Sequence, residues 1–266
     1  MSMGYQGTTI WITGASSGIG KALALELHQR GATLLLSSRK KESLEAVRQT
    51  CAHPERVHLV PLDLQDYTSL KNIAQGVLQD HGSIDYLVNN GGISQRAYAV
   101  YTQLLVDAQI MDVNFMGTVA LTKAVLPHMQ SRKQGKIVTV TSMVGKYGTP
   151  MRSSYAASKH ALHGFMDALR AEVWKAGVKV QLICPGYVQT QISMNAVTGD
   201  GSAQQQMDKA TAQGIPADRF ARKMADAMLR DRPEVYICGA KERAGLYIKR
   251  FFPRLFNKLV RKVNVT

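Results

Sequence analysis

A three-layer α/β/α domain, wound on both faces of a parallel sheet, is the fold this sequence predicts on three observations. Apolar runs of strand length alternate with helical stretches along most of the 266 residues. The first run opens into a glycine-rich turn followed by a helix. The residues with chemical potential fall at the carboxyl ends of the runs. Near-continuous apolar strands belong to parallel sheets covered on both faces, and such sheets bind ligands along their carboxyl edge. The expectation is a single Rossmann-type catalytic domain over residues 1–240, with 241–266 as a C-terminal extension of the same domain. A hydrophobic content of 45 % is ample for one large core.

Thr8 to Thr13 is the first strand, Gly14-Ala15-Ser16-Ser17-Gly18-Ile19-Gly20 the turn, and Lys21 to Arg30 a helix. Strand, glycine turn and helix in that order point to a dinucleotide. Gly14 permits the tight turn, Gly18 lets main chain approach a pyrophosphate, and Gly20 lets the helix pack close on the strand. Ser16, Ser17 and Ile19 complete a turn whose helix N-terminus offers free N–H groups and a positive dipole end. Ala32 to Ser37 is the second strand, ending at Arg39 and Lys40. An NAD site carries an acid about 20 residues past the glycines to hold the ribose hydroxyls. No acid stands here. The Arg39 guanidinium suits a 2′-phosphate instead, so the expected cofactor is NADP(H).

The alternation continues. Val57 to Leu62 is a strand ending at Asp63, Tyr67 to Asp80 a helix, and Ile84 to Val88 a strand ending at Asn89-Asn90-Gly91-Gly92. Two long helices are expected, at about 101–115 and 117–131. Ile137 to Thr141 is a strand closed by Ser142, the helix bearing Tyr155 runs through Trp174, and Val178 to Cys184 is a strand ending at Pro185. Tyr187 to Gly214, rich in Gly, Ser and Gln, reads as a flexible substrate lid, with Met194 and Met207 suited to a greasy ligand.

Tyr155 and Lys159 stand four apart on one helical face. A phenol with an ordinary pKa near ~10 exchanges protons poorly at neutral pH unless a cation favours the phenolate. Lys159 would supply that cation, and the Ser142 hydroxyl would meet the phenol over a substrate carbonyl.

Composition excludes several classes. Cys51, Cys184 and Cys238 are widely spaced and odd in number, which argues for a reducing compartment and against a disulfide or zinc framework. The seven His form no metal-ligand cluster, so no protein-bound metal is expected. The first strand begins almost at the N-terminus, leaving no room for a signal peptide, and no run approaches the ~18 apolar residues of a membrane span. The net charge is +14, and residues 241–266 carry eight basic residues against one acid, Glu242. Within that stretch Leu246, Tyr247, Ile248, Phe251, Phe252, Leu255, Phe256, Leu259, Val260 and Val263 spread over roughly half to two-thirds of a helical wheel. Arg250, Arg254, Lys258 and Arg261 lie opposite, with Pro253 as a kink or restart. Such a segment either lies on anionic lipid or packs on its own subunit or a neighbour. No base-reading motif accompanies it, so no nucleic-acid partner is expected. The implied location is cytoplasmic, and peripheral at a membrane surface on the first of the two readings of this segment.

The ordered set Thr13-Gly14-Ala15-Ser16-Ser17-Gly18-Ile19-Gly20, Asp63, Asn89-Asn90-Gly91-Gly92, Asn114, Ser142, Tyr155-Ala156-Ala157-Ser158-Lys159 and Pro185-Gly186-Tyr187-Val188-Gln189-Thr190 resembles the short-chain dehydrogenase/reductase family over about residues 5–240. Gly91 departs from the alanine of many members. The resemblance implies that Tyr155 is the general acid of carbonyl reduction and that Lys159 lowers its pKa and holds the nicotinamide ribose. It further implies that Ser142 orients the substrate oxygen and Asn114 positions a relay water. Asp63 would hold the adenine, Asn90 the adjacent ribose, and Val188 and Thr190 the nicotinamide amide. The tail resembles those of members acting on lipid- or steroid-like carbonyls, and the family often forms homodimers or homotetramers through the two long helices. The expected activity is reduction of a hydrophobic ketone or aldehyde by NADPH. NADP-linked alcohol oxidation and a non-catalytic NADP-binding role are the alternatives.

Overall fold

The computed structural model describes residues 4–263. Seven strands form one parallel sheet: β1 (Thr9–Thr13), β2 (Thr33–Ser37), β3 (Val57–Leu59), β4 (Tyr86–Asn89), β5 (Gly135–Val140), β6 (Val178–Pro185) and, last in the chain, β9 (Glu234–Ile237). The short β7 (Val188–Gln189) and β8 (Ile215–Pro216) pair separately. The sheet order is β3-β2-β1-β4-β5-β6-β9, so the winding reverses between β1 and β4. Thr9 to Thr13 align with Thr33 to Ser37 on one side, and Ile10 to Ile12 with Tyr86 to Val88 on the other. A ligand crevice belongs at that reversal.

Strand residues alternate between two cores. Ile10, Ile12, Leu34 and Leu36 meet Leu23 and Leu27 of α1 (Gly18–Gln29) and Phe220 and Met224 of α8 (Ala217–Met228). Trp11 and Leu35 face the other way, onto Leu70 of α3 (Leu70–His81), Leu121 and Val125 of α5 (Gly117–Ser131) and Met166 of α6 (Ser153–Val173). Every central strand is thus buried on both faces, which is why its sequence is apolar without interruption.

Several expectations need correction. β3 stops at Leu59, although Val60 N and Leu62 N still donate to Leu36 O and Ser38 O and carry the chain to Asp63. The two long helices are one, Leu104–Ser131, in which α4 (Leu104–Met111) passes through a π-helical turn, Asp112–Met116, into α5. By length and composition this helix is apolar enough to cross a membrane, contrary to the reading of the sequence. Its Leu121, Val125 and Met129 are spent on the core. Elements not foreseen are α2 (Lys41–Arg48), α8 and β9, with a short α7 (Lys209–Ala212) inside the lid.

Residues 187–214, expected as a flexible lid, are not a free loop. Val197 bridges to Gln95 and Ala203, and Ser193, Ala196 and Asp208 are fully or almost fully buried. The basic tail folds back as α9 (Ala240–Phe251) and α10 (Pro253–Val260), broken where Pro253 begins a new first turn. Phe256 is buried edge-on against Tyr147, centroids 5.3 Å apart, in a cluster with Met143 and Cys184. Glu242, the single acid of the tail, accepts a hydrogen bond from Tyr187 N at 3.3 Å. Residues 264–266 of the predicted basic extension lie outside the described residues.

Candidate active site

One cavity of about 970 Å³ runs along the carboxyl edge of the sheet, from the glycine turn to the tail helices. At its β1 end Gly14 (φ +64°) turns the chain, and a Cβ there would stand 2.8 Å from Gly91 Cα. Gly18 (φ +53°) faces Thr190, whose Cγ2 would be 3.1 Å from an added Cβ. Left-handed backbone of this kind is free only to glycine. Asn90 ties the turn to β4: its Nδ2 donates to Thr13 O at 3.0 Å, while Thr13 Oγ1 accepts from Asn90 N and Gly91 N. No side chain caps α1, and no acid lies in its first turn. The helix therefore offers unpaired N–H groups and a positive dipole end to an anion, which fits the pyrophosphate of a dinucleotide.

Ser16, Ser17, Ile19, Arg39, Asp63, Val188 and Thr190 line the same cavity. Arg39 is exposed on its rim, and Asp63 Oδ1 accepts from Gln65 N at 3.0 Å. Gly20, expected among the cofactor contacts, is absent from the wall. A Cβ there would strike Gly14 O, so its role is the close fit of helix on turn. Met194 and Met207 also miss this wall, and Met207 Sδ instead accepts from Ser193 Oγ.

Ser142, Tyr155 and Lys159 meet midway along the cavity. Ser142 follows β5, and its Oγ is fixed by Val144 N at 3.2 Å. Tyr155 and Lys159 share one face of α6, with Nζ 5.8 Å from the phenol centroid and donating to Val140 O at 3.1 Å. The start of α6 is held by a residue the sequence did not reveal. Gln95, fully buried, accepts from Ser154 N at 2.9 Å and Tyr155 N at 3.3 Å, and Ser154 Oγ hydrogen-bonds Asp107. Asn114 sits in the π-helical turn rather than on the cavity wall. Its amide exchanges hydrogen bonds with Ile93 N and Ile93 O and donates to Ser158 Oγ. Only the space beside Gly92 separates it from the Lys159 ammonium: a Cβ at Gly92 would lie 2.9 Å from Asn114 Oδ1 and 3.6 Å from Lys159 Nζ.

Burial raises the Tyr155 pKa above its ordinary value, partly offset by the Ser142 hydroxyl and the positive charges of Arg152 and Arg96. Burial also pulls Lys159 down to about 8. The positive charges that lower the phenol pKa are thus the two arginines, where the sequence pointed to Lys159. Arg96 stands 59 residues before Tyr155, so only the fold makes them neighbours, and Arg152, three residues before Tyr155, belongs to no motif. Among the described residues one group has metal-ligand spacing, His163, Cys184 and Glu234. The Lys146 ammonium occupies its carboxylate at 2.8 Å, and a cation already in the ligand set opposes a second.

The short chain dehydrogenase family profile matches residues 8–201. A "Dehydrogenase/reductase SDR family protein 7-like" protein of Anopheles gambiae is 44 % identical over 264 residues, covering 96 % of this chain and 83 % of that protein. The human "Dehydrogenase/reductase SDR family member 7" is 43 % identical over 234 residues, covering 86 % and 69 %. Among solved structures, a metagenomic short-chain oxidoreductase in complex with NADP superposes with a TM-score of 0.74 at 27 % identity, covering 89 % of this chain and 99 % of that one. A Burkholderia phymatum short chain dehydrogenase/reductase in complex with NAD reaches 0.82 at 24 % identity, covering 94 % and 95 %, a likeness of fold. A profile match over most of the chain, joined to relatives of this identity, settles the lineage: the chain belongs to the short-chain dehydrogenase/reductase family of oxidoreductases.

Proposed function

We propose that this protein is an NADPH-dependent reductase that converts a hydrophobic, lipid- or steroid-like ketone or aldehyde to its alcohol. The observation that carries the reading is the continuity of the cavity, which joins the glycine turn and Arg39 to Ser142, Tyr155 and Lys159, and these to an apolar wall containing Ile248 and Phe256. A bound nicotinamide would supply hydride to the carbonyl carbon. Tyr155 Oη gives the carbonyl oxygen its proton, and Ser142 Oγ holds that oxygen in place. The Lys159 ammonium steadies the phenolate left behind. The α1 N-terminus, Gly14 and Gly18 would hold the pyrophosphate, Asp63 the adenine, Asn90 the ribose, Val188 and Thr190 the carboxamide, and Arg39 the 2′-phosphate.

NADPH and NADH oxidation against lipid ketones, steroids and quinones tests this. NADPH should be strongly preferred, and Arg39→Asp should erase the preference; equal use of both by the unaltered protein would remove the NADP assignment. Failure to consume any carbonyl would remove the reductase.

We further propose that the tail docks on anionic membrane. Tyr247, Phe251, Phe252 and Leu255 are each about half to two-thirds exposed next to Arg250, Arg254 and Lys258, which is the dual signature of an interfacial helix. Flotation with anionic vesicles should fail for the double variant Phe251→Ser, Phe252→Ser. Equal flotation of both proteins would leave the segment as a packing element only. Association into homodimers or homotetramers through Leu104–Ser131 is proposed as well, to be read from the solution mass.

A further inference from the structure

A buried charge beside Tyr155 lacks a partner of its own. Arg152 is 5 % exposed, stands at the N-cap of α6 three residues before Tyr155 and lines the cavity. A guanidinium carries five N–H donors, yet the Arg152 side chain makes no hydrogen bond among the described residues, and its Nε is buried and unsatisfied. Its contacts are the Tyr187 ring, 5.6 Å from Cζ to centroid, and Asp208 Oδ2 at 3.6 Å from Nη2. That carboxylate is already engaged. Arg96 grips both oxygens through Nε at 3.0 and 3.3 Å and one again through Nη2, while Gln204 and Thr211 also donate to it. Two guanidinium groups against one carboxylate leave a net positive charge. The two acids of the cavity wall do not supply the balance: Asp63 is held by Gln65 N and Glu242 by Tyr187 N, and neither pairs with Arg152.

The arrangement is rigid. Ala97 N donates to Met151 O, and the Ala97–Arg152 bridge pins the backbone just after Met151, which is left-handed at φ +62°. The N-terminus of the 21-residue α6 adds its positive end, with no acid in the first turn. A buried cation that only shares a carboxylate and keeps free donors is costly unless something anionic completes it.

We infer that Arg152, steadied by the Arg96–Asp208 pair, is an anion subsite, and that the substrate is an apolar carbonyl compound bearing a carboxylate or a phosphate ester that the Arg152 fork receives. The inference rests on the reductase reading and narrows it: the ligand is an anionic amphiphile, not a neutral one. A planar guanidinium accepts either anion in two-point fashion. The cofactor phosphates have their own cradle at the N-terminus of α1.

Calorimetric titration of the NADP-loaded full chain with dodecanoate, dodecyl phosphate and dodecanol reads the subsite without turnover. At least one anion should bind about tenfold more tightly than the alcohol, as a charge-assisted pair warrants. The better anion identifies the class. Arg152→Gln should abolish the anion-over-alcohol preference and Arg152→Lys keep part of it, with melting temperature and NADPH affinity as checks of folding. Dodecanol binding as tightly as both anions in the unaltered protein would overturn the inference, and that arm needs no variant. So would a preference that survives Arg152→Gln, since it would then come from the basic tail. Arg152-dependent anion binding with no anionic carbonyl reduced would leave the subsite standing and remove the reductase.

Discussion

At the β1 end of the cavity the wall is main chain; at the tail end it is side chains gathered from distant parts of the sequence. Gly14 and Gly18 bring backbone to the surface, and Asn90 braces the turn through carbonyl oxygens of Thr13 and Gly14. At the opposite end Arg96 reaches Asp208 across 112 residues, and Tyr147 donates to Glu242 O across 95. A main-chain cradle recognises what every dinucleotide shares and changes little with side-chain substitution. A side-chain wall can be rebuilt one residue at a time without disturbing the cradle. The two ends should therefore fail independently.

The largest separation is expected from Tyr155→Phe, which removes the proposed proton donor and leaves both walls. Carbonyl reduction should fall by ~10²–10⁴-fold while NADPH affinity, read by fluorescence titration, stays close to that of the unaltered protein. Substantial residual turnover would break the assignment. Phe256→Ala acts on the side-chain end alone. Truncating a buried Phe costs about 3 kcal/mol, so melting should drop by several degrees and bulkier carbonyls should be admitted, with NADPH binding retained. A loss of NADPH binding as large as the loss of stability would couple the two ends. Gly18→Val is the reverse case. Left-handed backbone costs a β-branched residue about 1–2 kcal/mol, and its methyls press on Thr190, so NADPH should bind roughly tenfold more weakly while dodecanol affinity holds.

The smallest effect is in pH. Lys159 sits at about 8, below its ordinary 10.5. Between these values the unfolded chain binds more protons than the native one, so this group makes stability rise with pH across that window. Reduction should run the other way, because the ammonium proposed to steady the phenolate is lost above about 8. The falling limb of kcat/KM near that pH should move upward in Lys159→Arg, which does not titrate there.

The same contrast decides how much could be read from the chain. The strands are buried on both faces and write themselves as unbroken apolar runs, and the cradle is a local motif, so both were legible. Glu234-Val235-Tyr236-Ile237 forms an edge strand, half-buried and short, and carries a weaker signal. The α8 helix did have a periodic stripe, Phe220, Met224 and Met228; it was obscured by the polar segment before it. Arg96, Arg152 and Asp208 lie in three separate stretches with no fixed spacing, and only the fold makes them neighbours. The tail was read as a choice between lipid and protein, yet its Phe256 turns inward while Phe251 and Phe252 face out.

The π-helical turn at Asp112–Met116 marks where this long helix can change length. A widened turn holds one residue more than an α-helix needs, letting Asn114 and the core-facing Leu121, Val125 and Met129 point inward from the same helix. Deleting one residue there would close the widened turn to an ordinary α-turn, keeping Leu121, Val125 and Met129 on the core but displacing Asn114. A deletion elsewhere in Leu104–Ser131 would turn the core stripe by about 100°; the widened turn alone has a residue to spare.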